Sequence, residues 1–138
     1  KKEYKIMLFQ ISNSLILIAF GTMIFFSFII APVTFTTLDE QNAGKFIRRL
    51  FPFYYAFNLI TLLLSLILAF FDGSFAVRYH IVILCALLFA FTLFYLMPKI
   101  NAYRDNKNNK MFKISHRLSV VINFIQIALL GLVAIGYY

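Results

Sequence analysis

The chain is poor in charge, in cysteine and in acidic residues. Only 13% of its 138 residues are charged, roughly half the fraction found in soluble domains. By contrast, 62% are apolar and the mean hydropathy is +0.87. A single cysteine, Cys85, excludes an intrachain disulfide. These features exclude a soluble globular domain, a disordered chain and a disulfide-stabilised scaffold, and they indicate an integral membrane protein.

Four long apolar runs are the candidate spans. Because the bilayer interior offers the backbone no water, only helices or a closed barrel cross it, and these runs lack the alternation of barrel strands. Each run is near the roughly 20 residues that a helix needs to cross ~30 Å of hydrocarbon. We therefore predict an all-α fold, an integral membrane antiparallel four-helix bundle that forms one domain over residues 1–138. The spans are expected at about 6–32, 51–71, 81–98 and 118–138.

The link between the first two spans has the pattern of a short amphipathic helix. Thr37 and Glu40 have the spacing of a capping box. Over residues 43–50, apolar side chains then recur at helical spacing opposite basic ones. We predict that this helix lies on the membrane surface and that Pro52 falls in the first turn of a separate second span. Pro98 either ends the third span or kinks a helix that continues beyond it.

Lysine and arginine are divided unevenly between the two sides of the membrane. Nine lie in links 33–50 and 99–117, against four at the N-terminus and in the second link. The positive-inside rule therefore places links 33–50 and 99–117 in the cytoplasm and both termini outside. No initiator methionine precedes Lys1, so we expect a few further residues there, and we do not expect residues 6–32 to be a cleaved signal peptide.

The distribution of basic residues and the overall composition also indicate the partners and the source organism of the protein. Because topology accounts for the basic residues, we expect no nucleic acid as a partner, but a lipid bilayer and other membrane-protein subunits. The high content of Phe, Ile, Asn and Lys is typical of an AT-rich bacterial genome, which makes the bacterial inner membrane the expected location.

The chain lacks the residues that mark chemistry inside a membrane. None of its five acidic residues falls within a predicted span, which argues against a proton relay or pump. His80 and His116 are expected on opposite faces, ~30 Å apart, too far to share a metal ion. Sulfur ligands are scattered rather than paired, and no catalytic motif occurs. We expect no enzyme, no catalytic residue, no metal site and no cofactor, with His116 left as a candidate for a single axial haem ligand.

Polar side chains at helical spacing are the main candidates for a functional site. Such residues share one helix face, which is expected to turn away from lipid. The stripe on the second span comprises Tyr54, Asn58, Thr61 and Ser65, and that on the fourth comprises His116, Ser119, Asn123 and Gln126. Shorter sets occur on the first span (Gln10, Asn13, Ser14) and on the third (Cys85, Thr92, Tyr95, Lys99).

Two interpretations of the stripes remain open. In the first, amides and hydroxyls pair between helices and stabilise the bundle by ~0.6 kcal/mol each. In the second, they line a polar pocket for a small solute, with Asn58, Asn123 and Gln126 in its wall. Since both stripes thin out towards the outer side, the sequence predicts at most a half-depth cavity rather than a continuous channel.

Several segments resemble one known family of membrane proteins. The segments Ala31-Pro32-Val33-x-Phe35, Ala43-Gly44-Lys45-Phe46 and Leu50-Phe51-Pro52-x-Tyr54-Tyr55 are similar to the first half of the transmembrane protein 205-like family, catalogued as domain of unknown function 4149. The second half of that family is similar to two further parts of the chain. The first contains Pro98, Lys99 and Arg104, and the second is Phe112-x-x-x-His116-x-Leu118-Ser119-x-x-x-Asn123. The resemblance implies a four-span membrane protein without an assigned function, whose animal relative is associated with platinum-drug resistance.

These features lead to one functional prediction and two alternatives. We predict a non-catalytic membrane protein that serves as a small structural or accessory subunit of a larger membrane complex. The first alternative is a carrier or binder of a small solute or metal complex that uses the half-depth cavity. The second is a haem- or lipid-binding module that uses His116.

Overall fold

The computed structural model describes residues 1–73 and 76–136. It contains four long helices: α1 (Lys2–Thr37), α2 (Glu40–Asp72), α3 (Val77–Asp105) and α4 (Asn109–Ala134). Each is long and apolar enough to cross a membrane, and the described residues contain no strand. The predicted all-α four-helix fold is therefore confirmed. Tyr137 and Tyr138, with which the predicted fourth span ends, lie outside the described residues.

The helices form a ring in which each packs against two neighbours. α1 and α3 each pack against both α2 and α4, so that α1 and α3 form one diagonal pair and α2 and α4 the other. We call the end of the bundle that carries links 38–39 and 106–108 the basic end, and the opposite end the terminal end. The apolar core lies between these ends, and its fully buried side chains include Ile16, Met23, Leu62, Val82, Phe89 and Leu130.

Two helices continue through prolines at which the apolar runs end. In α1 the π-helical turn Phe26–Ile30 comes just before Pro32, and in α3 the π-helical turn Thr92–Leu96 comes just before Pro98. The residue that follows each turn donates its N–H to the carbonyl five residues earlier. Proline lacks an N–H and clashes with the carbonyl four residues earlier, and a widened turn relieves that clash. The prolines are therefore accommodated inside their helices, which extend beyond the predicted span ends.

The amphipathic segment 43–50 is helical, but it is not the separate surface helix that the sequence predicts. α2 begins at Glu40 and continues through Pro52 without a break. Ala43, Gly44 and Ile47 are buried. These residues are buried inside the protein rather than lying on a membrane surface. The segment therefore continues in line with the rest of α2.

The cap of α2 also differs from the prediction. Thr37 belongs to the last turn of α1, and the N-cap residue is Asp39, whose side chain accepts a hydrogen bond from the Asn42 N–H at 3.0 Å. Hydrogen bonds from Asn42 lower the pKa of the Asp39 carboxyl group. The carboxylate thus stays ionised at neutral pH, where it complements the positive end of the helix dipole.

Candidate functional site

A cavity opens at the basic end of the bundle. Its outer part, which we call the mouth chamber, has a volume of about 280 Å³ and is lined by residues of all four helices. Its polar wall comprises Glu40, Arg48, Asn101, Arg104, Asn109 and His116. The extensions of α2 and α3 beyond the apolar runs supply four of these six side chains.

A second chamber adjoins the first and lies deeper in the bundle. This inner chamber has a volume of about 170 Å³ and lies between α1, α2 and α4. The two chambers share a wall formed by Phe35, Ile47, Phe51, Tyr55, His116 and Ser119. Apart from this wall the inner chamber is largely apolar, with Phe26, Ala31, Val120 and Phe124 around it. The cavity therefore changes from charged at the mouth to apolar at depth.

A hydrogen-bonded layer borders the inner chamber, whose lining includes two of its members, Ser27 and Asn123. The Tyr54 hydroxyl donates to Oδ1 of Asn123 at 2.7 Å, and Nδ2 of Asn123 donates to the Ser27 hydroxyl at 2.8 Å. The Phe26 ring stacks on Tyr54 with 4.1 Å between the ring centroids. Phe26 and Ser27 belong to the π-helical turn of α1. The layer thus connects α1, α2 and α4 beside the inner chamber.

Arg104 is packed on the backbone of the neighbouring helix at the mouth. A Cβ atom at Gly44 would lie 2.6 Å from Cζ of Arg104, so any larger residue there would have to displace the end of this flexible side chain. Cζ of Arg104 also lies 5.8 Å from the centre of the Phe112 ring, within the range of a cation–π contact. The side chain of Arg104 is exposed, and these two contacts place its guanidinium group in the wall of the mouth chamber.

The neighbouring arginine is paired. Arg48 donates two hydrogen bonds to Asp105, from Nη1 to Oδ1 at 2.7 Å and from Nη2 to Oδ2 at 2.8 Å. This bidentate pair connects α2 to the last residue of α3. Within the described part of the chain, no carboxylate lies at ion-pair distance from Arg104. Arg104 is thus a cation of the cavity wall that forms no ion pair of its own in the described residues, although its charge acts on the neighbouring Asp105 carboxylate through space.

His116 lies where the two chambers meet. Its ring is nearly parallel to that of Phe112, at 9° and 5.9 Å between centroids, and the Ser119 hydroxyl donates to its backbone carbonyl at 2.6 Å. The other histidine, His80, lies near the start of α3 at the terminal end. Over residues 1–73 and 76–136, no group of three or more His, Cys, Asp or Glu side chains could hold a metal ion.

Two residues of the predicted stripes form hydrogen bonds between helices deeper in the core. The hydroxyls of Ser12 and Ser65 lie 2.9 Å apart, and each is within 3.0 Å of the other's backbone carbonyl. Nε2 of Gln126 donates to the carbonyl of Cys85 at 3.0 Å. Both contacts have the form of the first interpretation, hydrogen bonds that hold helices together.

Asn58 and Thr61 instead bond within their own helix. Nδ2 of Asn58 donates a hydrogen bond to the backbone carbonyl of Tyr54. The Thr61 hydroxyl donates one to the backbone carbonyl of Phe57. Asn58 and Gln126 are fully buried, and neither lines the two chambers. Of the three residues expected in a pocket wall, only Asn123 lines the cavity.

The shorter polar sets on α1 and α3 divide between core and surface. Cys85 and Thr92 are buried, whereas Gln10, Ser14, Tyr95 and Lys99 are exposed, contrary to the prediction for those faces. Asn13 accepts a hydrogen bond from Arg78, whose guanidinium lies 5.2 Å from the centre of the Phe9 ring. Arg78 is buried although the sequence places it in a polar link.

Comparison with known proteins identifies the family. The model of the family described as "Domain of unknown function (DUF4149)" matches residues 14–109. The chain belongs to this family. An uncharacterized protein of Aquifex aeolicus (strain VF5) is 33% identical to it over 99 residues, which cover 72% of this chain and 73% of that relative. No solved structure matches the chain.

The DUF4149 match covers most of the cavity. It includes Ser27, Gly44 and Arg104, and it ends at the first residue of α4, before Phe112 and His116. Sequence reasoning did not single out Gly44, Arg104 or Phe112 as site residues. All three lie in the segments that resemble the family, and this resemblance is the sequence signal that could have identified them as site residues.

Proposed function

We propose that the protein is a non-catalytic integral membrane protein that binds a small amphiphilic molecule in its two-chambered cavity. The supporting observation is that six residues border both chambers, so that a charged mouth chamber lies directly beside an apolar inner chamber. A ligand with a polar head and an apolar tail matches this sequence of environments. Together the chambers have the size of small-molecule pockets, roughly 300–1,000 Å³.

Lateral entry from the membrane is part of this proposal. The rim of the inner chamber between α1 and α4 includes Phe35, Val120 and Phe124, and all three side chains are exposed. In a bilayer these rings and methyl groups would contact acyl chains. An amphiphile could therefore slide its tail between α1 and α4 while its head stays at the polar end.

We propose binding rather than transport because the layer of Tyr54, Asn123 and Ser27 lies at the inner end of the cavity. A carrier would have to break this layer in each cycle. The role as an accessory subunit of a larger complex is compatible with the same cavity and stays a second prediction. The haem alternative depends on His116 alone.

The orientation of the protein in the membrane and its relationship to other membrane proteins are also proposals. Nine basic residues at the basic end favour its placement in the cytoplasm, with both termini outside. The relative in Aquifex aeolicus supports a bacterial origin and hence an inner membrane. The segments around Pro32, Pro52 and His116 support a relationship to transmembrane protein 205-like proteins within the family.

Filling the cavity tests the proposal. Ser119→Leu adds three carbon atoms to the wall shared by both chambers, and Leu118→Phe is a matched control because Leu118 is exposed on the same helix. We expect Ser119→Leu to weaken the binding of dioctanoyl phosphatidylglycerol at least about tenfold, as titrated by native mass spectrometry, because a filled pocket excludes its tail. Leu118→Phe should bind like the wild type.

A second variant distinguishes the effect of a filled cavity from that of a misfolded protein. Ala31→Leu fills only the inner chamber, and it should weaken binding of the same lipid. Thermal unfolding of each variant checks that the bundle is intact. If both folded variants bound the lipid as tightly as the wild type, the cavity would not be its binding site.

A further inference from the structure

We infer that the mouth chamber binds the phosphate group of an anionic amphiphile, with Arg104 as its ligand and Gly44 as the residue that positions Arg104. This inference rests on the proposed function and names the chemical class of the ligand. It depends on three observations: the pairing of charges at the mouth, the packing of Arg104, and the charge of the whole basic end.

Of the two arginines that line the mouth chamber, Arg48 forms an ion pair and Arg104 does not, although the charge of Arg104 also acts on Asp105 through space. Asp105 is engaged by Arg48 through two hydrogen bonds of 2.7 and 2.8 Å. Among the described residues that line the mouth chamber, Glu40 is the one carboxylate, and it does not form an ion pair with Arg104. A guanidinium group presents a planar pair of donors that matches phosphate oxygens, and such charge-assisted bonds are about twice as strong as neutral ones.

The guanidinium group of Arg104 packs directly on the backbone of α2 at Gly44. Glycine inside a helix costs about 1 kcal/mol relative to alanine, and this contact is one interaction that a larger residue would displace. The guanidinium group occupies the space where a Cβ atom of residue 44 would stand. Although Arg104 is exposed, its contacts with Gly44 and with the Phe112 ring place the guanidinium group in the cavity wall without a ligand. A preorganised cation binds an anion with less loss of side-chain entropy.

The charge of the basic end favours an anionic ligand. Segments 33–50 and 99–117 carry nine Lys and Arg against three acidic residues, Asp39, Glu40 and Asp105. Topology alone explains an excess of this kind, but it does not explain why one arginine lies against a glycine in a cavity wall. Basic pockets between membrane helices are known sites for anionic lipid head groups.

A phosphate group could belong to a phospholipid or to free phosphate. The apolar inner chamber, which a free ion would leave empty, favours the phospholipid. We therefore expect the phosphate group at Arg104 and the acyl chains in the inner chamber.

The test uses two lipids and one ion on the full-length protein in mild detergent. Native mass spectrometry should show that dioctanoyl phosphatidylglycerol binds at least about tenfold more tightly than dioctanoylglycerol, which has the same acyl chains but lacks the phosphate group. Inorganic phosphate should not saturate a site. Arg104→Gln should abolish the preference for phosphatidylglycerol. Arg49 is exposed at the same end, as Arg104 is, but it does not line the cavity, so Arg49→Gln removes the same charge and should keep the preference.

The outcomes separate this inference from the proposed function. Equal binding of the two lipids, unchanged in Arg104→Gln but weakened by Ser119→Leu, would overturn the inference and leave the cavity proposal standing. Equal loss of preference in Arg49→Gln would assign it to the general surface charge and also overturn the inference. Saturable, Arg104-dependent binding of inorganic phosphate would support the phosphate site but overturn the phospholipid as its source. Absence of any lipid binding would overturn both proposals.

Discussion

The Tyr54 hydroxyl donates a hydrogen bond of 2.7 Å to Oδ1 of Asn123, and this bond connects two helices that are diagonal in the ring. The same amide donates to Ser27 at 2.8 Å. One asparagine thus fixes the relative positions of three helices at the inner end of the cavity. The amide has both a donor and an acceptor, so a single side chain satisfies two hydroxyls.

A double-mutant cycle on this pair should show coupling. Tyr54→Phe is expected to lower the free energy of unfolding by about 1 kcal/mol, the net value of one buried hydrogen bond. Asn123→Leu should lower it by more, because both Tyr54 and Ser27 lose a partner. Equilibrium unfolding in mixed micelles, followed by circular dichroism, measures each variant.

The control for this cycle is Tyr95→Phe, since Tyr95 is exposed. It should leave the free energy of unfolding within about 0.5 kcal/mol of the wild type. If the effects of Tyr54→Phe and Asn123→Leu were additive in the double variant, within about 0.3 kcal/mol, the hydrogen bond would not contribute to stability.

Gly44→Ala should separate stability from binding. Alanine favours the helix by about 1 kcal/mol, but its Cβ atom would displace the guanidinium group of Arg104. We expect the variant to unfold no more easily than the wild type while its affinity for dioctanoyl phosphatidylglycerol falls severalfold. Gly21→Ala is the matched control because a Cβ atom there meets nothing within 4 Å. A Gly44→Ala protein with wild-type affinity would show that the position of Arg104 is irrelevant to binding.

The contact between Ser12 and Ser65 should tolerate loss of a hydroxyl better than added volume. Both side chains are fully buried where α1 crosses α2. Ser65→Ala should lower the free energy of unfolding by about 1 kcal/mol or less, whereas Ser65→Leu should cost about 1–3 kcal/mol because it forces the helices apart. Ser14→Leu is the control, since Ser14 is exposed and bonds only to its own helix. Equal effects of Ser65→Ala and Ser65→Leu would contradict close packing at this crossing.

Cysteine labelling tests the orientation. Cys85 is fully buried, so an introduced thiol should be the reactive one among the described residues. A membrane-impermeant maleimide should label Lys2→Cys from outside intact cells and Asn106→Cys only after the cells are opened. The reverse pattern would place the basic end outside.

The sequence predicts those features that depend on one helix at a time. The four apolar runs and the burial of Tyr54, Asn58, Ser65 and Gln126 follow from hydropathy and helical spacing, and the structure agrees. The continuity of α1 and α3 does not follow, because Pro32 and Pro98 disfavour a helix locally. The π-helical turns that accommodate them are not signalled by residue spacing.

The site could be predicted only in part because it depends on residues far apart in the chain. Ser119 and Asn123 belong to a stripe and were candidates, and both line the cavity. Gly44, by contrast, is a residue type that destabilises a helix. The Arg104 side chain that packs on it comes from a residue 60 positions later in the chain. Residue spacing carries no information on such a pair, and single-sequence reasoning therefore missed it.

Photo-crosslinking tests the central claim, that the cavity holds an amphiphile, most directly. The probe is a phosphatidylglycerol with a diazirine in its acyl chain, and the crosslinked residues are identified by peptide mass spectrometry. The account predicts crosslinks at the inner chamber, chiefly on Phe51, Ser119 and Val120, which decrease in Ala31→Leu. Crosslinks spread evenly over exposed side chains such as Phe53, Phe70 and Leu87, unchanged in that variant, would contradict it.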